Sequence, residues 1–67
     1  MFEIGNIVLV NENVREPKRK YFGKIGTTAL VRQQVRGKGQ TRYFVMIDGA
    51  EENKAIPFLE DELELIA

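Results

Sequence analysis

The segment Glu60-Asp61-Glu62-Leu63-Glu64 sets four carboxylates within five residues. Paired carboxylates hydrolyse glycosides or bind Mg²⁺ when a concave site holds them together and burial raises one pKa. A chain of 67 residues has little room for such a site, and the competing reading is a solvated acidic turn. The chain has neither His nor Cys, which removes the usual general base, thiol nucleophile and zinc ligands. A non-enzymatic protein is therefore expected, with no catalytic residue, no metal and no cofactor.

The second grouping is cationic. Net charge is zero, but residues 1–14 carry −2, residues 15–42 carry +8 with nine cations against Glu16 alone, and residues 43–67 carry −6. Asymmetry of this kind points to nucleic acid or a charged protein surface as partner, unless the two halves neutralise each other across the fold. Tyr21, Phe22 and Tyr43 are interleaved with the cations, and aromatic faces among cations stack the bases of single strands and RNA loops. The competing assignment puts Phe22 and Tyr43 in the core and exposes only Tyr21; Phe22 is expected in the core. The Gly37-Lys38-Gly39 tip could cradle a phosphate, but without a following helix a plain hairpin turn is the favoured reading.

The positioning elements follow from local pattern. "IVLV" at 7–10 is a β-branched run entered through Gly5 and Asn6, and reads as a first strand. Asn11 to Lys20 breaks all periodicity and reads as a long loop of the kind that often carries function. "KIGTTALVRQQV" reads as a second strand with a bulge or bend at Gly26. "TRYFVMID" reads as a third, with Tyr43, Val45 and Ile47 on one face and Phe44 and Met46 on the other, so both faces are expected to be partly covered. Asp48-Gly49 closes it as a turn, and "KAIPF" is a fourth short strand that Pro57 places at an edge or beside a bulge. "LEDELELIA" fits a terminal helix or a single turn at 59–62 with a short closing strand; the second is preferred because nine isolated helical residues are marginal.

Five short strands between Gly-, Pro- and Asn-rich turns imply one all-β domain over residues 1–67, with a sheet closed into a five-stranded barrel. The runs "FEIGNIVLV", "YFGKIGTTALV" and "IPFLEDELELI" resemble the small SH3-like barrels of KOW type. Gly5, Val8 and Val10 match that pattern's opening, and Gly23, Lys24 and Gly26 its "GKxGxV" element, whereas Thr28 stands where an aliphatic residue is usual. The resemblance implies a short 3-10 turn before the last strand and a binding module rather than an enzyme. The ten-residue segment ahead of "FGKIG" departs from the compact KOW spacing.

Two partner classes are expected. Nucleic acid, RNA more readily than DNA, would meet Arg15, Lys18, Arg19, Lys20, Tyr21, Lys24, Arg36, Lys38 and Arg42 on one platform, with Gln33, Gln34 and Gln40 supplying any base choice. Four to six of these cations on phosphates would give a log–log salt slope on the order of −3 to −5. Alternatively the chain is an adaptor or accessory subunit, its basic loop meeting an acidic protein surface or the acidic segment of a second copy, with Val14, Tyr21, Ile56 or Phe58 as apolar anchor. No apolar run nears the roughly 20 residues that span a bilayer, and "MFEIGN" lacks a signal-peptide layout, so a soluble cytoplasmic protein without membrane contact is expected.

Overall fold

The computed structural model describes residues 1–33, 40–50 and 53–67. Five strands, β1 (Ile7–Val10), β2 (Ile25–Arg32), β3 (Arg42–Ile47), β4 (Ile56–Leu59) and β5 (Leu63–Leu65), form one antiparallel sheet in the order β4-β3-β2-β1-β5. Two-residue alternation decides which side chains are inside. Val8 and Val10, then Tyr43, Val45 and Ile47, then Ile56 and Phe58, and finally Leu63 point to the core, where Val14 and Tyr21 of the long loop join them.

The closed barrel expected from the sequence is not formed. β4 and β5 are the sheet's two edges, and no ladder joins them among the described residues. A 3-10 turn at Glu60–Glu62 carries the chain from one edge to the other, so the open side is bridged by that turn and its side chains rather than by ladder hydrogen bonds. The terminal segment is thus a turn plus a strand, not a helix.

Pro57 shows why β4 ends the sheet. In a strand the N and the carbonyl of one residue project to the same side, and the Pro57 carbonyl accepts the Lys18 ammonium, which lies off the free edge. The missing N–H therefore faces away from β3, where no ladder bond is lost, and Lys18 blunts the exposed edge.

Gly26, where a bulge or bend is expected, has a packing reason and no bulge. A Cβ there would lie 2.5 Å from the Met46 carbonyl oxygen and 2.6 Å from Val45 Cγ1, so β3 crosses too closely for any side chain. The register shift in β2 falls later, between Thr28 and Leu30. Gly49 takes φ +77° in the Asp48-Gly49 turn. The expected hairpin tip at Gly37-Lys38-Gly39 lies outside the described residues, as do Gln34 and Arg36.

Candidate nucleic-acid interface

Much of the long loop is tied to the acidic turn. Asn11 donates its side-chain amide to the Asp61 carbonyl at 2.9 Å, and Asn13 donates to the same oxygen at 3.1 Å. Asn11 Oδ1 also accepts the Asn13 N–H at 2.8 Å, an Asx turn that sets the loop's first bend. The Arg15 guanidinium meets Asp61 at 2.8 Å and Glu62 at 3.2 Å. These contacts raise the Arg15 pKa above the ordinary guanidinium value, first through its hydrogen bond to Asp61, and the same bond lowers the Asp61 carboxyl. Glu62 is 3% exposed and accepts the backbone N–H groups of Leu59 at 2.7 Å and Arg15 at 2.9 Å. Part of the chain's charge asymmetry is therefore cancelled inside the fold.

The acidic run forms no convergent site. Glu60 takes the Tyr43 hydroxyl at 3.3 Å and the N-terminal ammonium at 3.3 Å, Asp61 takes Arg15, and Glu62 takes backbone. No cluster of three metal-ligating side chains occurs among the described residues. Burial of the Tyr43 ring raises its phenol above the ordinary value of 10.0.

From Pro17 the chain turns into a 3-10 turn, Lys18–Tyr21, which decides the fate of the two adjacent aromatics. Tyr21, expected on the surface, is 8% exposed and packs edge-on to Phe58 with centroids 6.1 Å apart. Phe22, expected in the core, is 54% exposed. The stacking candidate thus moves by one residue. Around Tyr21 lie two shallow depressions, one of about 330 Å³ lined in part by Lys18, Lys20 and Lys54, the other of about 360 Å³ lined in part by Lys20, Lys24 and Asp48. Lys18 Nζ sits 5.7 Å over the Phe58 ring and Lys20 Nζ 5.3 Å over Tyr21.

Among the described residues, Arg15, Arg19 and Arg42 do not gather there. Arg15 is ion-paired as described, and Arg19 donates Nη1 to the Val14 carbonyl at 3.0 Å, an internal fastening of the loop. Arg42 is opposite Arg32 at the far end of β2 from Lys24. Eight strand residues separate those ends, roughly 25 Å along an unbent strand. Among the described residues there is a lysine cluster at the loop and an arginine pair at the other end of the sheet. Lys54 was not anticipated; its signal was its position as the lone cation of the acidic third, just before β4. The apolar anchors expected for protein docking, Val14, Tyr21, Ile56 and Phe58, are all buried in the core.

No helix among the described residues is long and apolar enough to cross a membrane. No family model, curated protein or solved structure matches the chain.

Proposed function

We propose that the domain is a non-enzymatic binding module of SH3-like type that grips the backbone of nucleic acid, single-stranded RNA before duplex DNA, with Lys20, Lys24 and Lys54, while a base stacks on Phe22. The observation that carries this reading is the exposure of Phe22, which stands in sequence between Lys20 and Lys24, two lysines that line the depressions around Tyr21. An exposed aromatic ring on a segment that also carries lysines suits an unpaired base and its phosphates, and stacking adds about 1–3 kcal/mol per base without regard to sequence. Asp48 in the second depression disfavours a long duplex, which would bring phosphates against it. Supporting the KOW-type resemblance are Gly23, Lys24 and Gly26 at the entry to β2 and the 3-10 turn that runs into β5.

The test is a binding titration of labelled single-stranded RNA at low and raised salt. Three phosphate contacts at about 0.7 counterions each give a log–log slope near −2. Phe22→Ala is expected to weaken binding at least about fivefold with the salt slope unchanged. Failure to bind any nucleic acid at about 50 mM salt ends the proposal.

A further inference from the structure

Arg32 and Arg42 stand directly opposite each other at the end of the β2–β3 ladder. Their chain neighbours Val31 and Tyr43 pack on the core, and side chains alternate along a strand, so both arginines project from the outer face with Cβ atoms about 5 Å apart. Both are exposed, and neither has a hydrogen bond or ion pair among the described residues. Like charges in this register destabilise a sheet. Their surroundings supply no counter-charge. Leu59 continues the row beyond Arg42, and Leu30 and Phe44 form the next row on the same face. The nine residues that join the two arginines in sequence contain no acid. Of the carboxylates that follow Leu59, Glu60 takes the Tyr43 hydroxyl and the N-terminal ammonium, and Asp61 takes Arg15.

We infer that this pair is a binding site for a phosphate monoester dianion. A guanidinium presents a rigid fork of donors that matches two phosphate oxygens, where an ammonium is only a point charge. Two such forks on adjacent strands converge on one tetrahedral group. A monoester offers them three terminal oxygens and a charge of about −1.5 to −2 at neutral pH, which balances both cations. A diester or a carboxylate offers two oxygens and a single charge, and leaves half of the pair's charge uncompensated. The ladder holds the two arginines together before the ligand arrives, and the bound dianion turns their repulsion into attraction to a common centre. Leu30, 42% exposed and in the neighbouring row, gives apolar surface for the organic part of the ester. The site lies at the opposite end of β2 from Lys24 and does not depend on the lysine cluster binding nucleic acid.

The test is an NMR titration of the ¹⁵N-labelled full chain with phenyl phosphate, with dimethyl phosphate and acetate as controls at one ionic strength. The expected result is saturable movement of the Arg32 and Arg42 amide and Nε–H signals, with Kd on the order of 1 mM and at least about fivefold weaker binding of both controls. Arg42→Lys keeps the charge and loses the fork, and is expected to weaken phenyl phosphate binding at least about threefold. Arg32→Thr is expected to abolish it while leaving the urea midpoint in phosphate-free buffer unchanged or higher, which a structural role for Arg32 would not give. A second arm compares single-stranded RNA with a 5′-phosphate and with a 5′-hydroxyl. A preference for the phosphorylated strand that Arg42→Lys removes identifies the end of a nucleic acid as the source of the ester, and phenyl phosphate binding without that preference identifies a small phosphorylated molecule; both uphold the site. No saturable shift up to about 20 mM phenyl phosphate overturns the inference. So does an equal response to all three anions, or full binding by Arg42→Lys.

Discussion

Arg15 lies in a fork with Asp61, its Nη1 3.2 Å from Oδ1 and its Nη2 2.8 Å from Oδ2, across 46 residues of sequence. The cation that opens the most basic part of the chain is thereby committed to the fold. Arg15→Gln is expected to leave RNA affinity within about twofold of the parent, whereas Lys24→Gln weakens it and lowers the salt slope by about 0.7, one phosphate contact. Parallel titrations of the two variants check the contrast.

Glu62 holds the same corner from inside. Glu62→Ala leaves the Leu59 and Arg15 N–H groups without their acceptor, and is expected to cost about 2–4 kcal/mol. Glu62→Gln keeps one acceptor oxygen and should cost roughly half as much. Urea unfolding of both variants reports the difference. For a 67-residue domain the alanine change alone approaches the whole margin of stability.

The Thr28 hydroxyl is buried without a hydrogen-bond partner among the described residues. Valine has nearly the same shape and no polar atom to desolvate. Thr28→Val is therefore expected to stabilise the domain by about 1 kcal/mol, seen as a higher urea midpoint with an unchanged slope. A lower midpoint would mean that the hydroxyl is satisfied.

Arg15 lowers the folded-state pKa of Asp61 below its ordinary 3.8. The depressed value means that this pair's stabilisation is present above 3.8 and is lost as pH falls through the lower folded value, because the unfolded chain takes up the proton first. Tyr43, raised above 10.0 by burial, acts at the other limit: stability declines as pH rises past 10.0, where the unfolded chain ionises before the folded one. Denaturation midpoints across pH should show both limbs, with the acid limb flattened in Asp61→Asn and the alkaline limb flattened in Tyr43→Phe.

The strands were legible because their information is local. "IVLV" and "RYFVMI" alternate with the two-residue period, and Pro57 and Gly49 mark an edge and a turn wherever they stand. The candidate site was less so. Tyr21 and Phe22 are neighbours of similar size, and only the phase of the 3-10 turn, fixed by packing of Tyr21 on Phe58, decides which goes inward. Nothing near Arg15 in sequence announces Asp61, and nothing near Lys24 says that β2 will carry Arg32 and Arg42 away from it. Lys54 enters the cluster only because β4 brings it beside the loop. Strand count does not fix whether the end strands meet, so barrel closure is not legible in the sequence.

The most direct measurement of where nucleic acid binds is a backbone amide shift map of the ¹⁵N-labelled domain titrated with a short single-stranded RNA. The expected perturbations fall on residues 18–24 and 53–56, with the Phe22 ring protons moving upfield as a base stacks on them. Shifts confined to Arg32, Arg42 and the outer sheet face, or no shifts at low salt, would contradict a lysine-ringed interface at the loop.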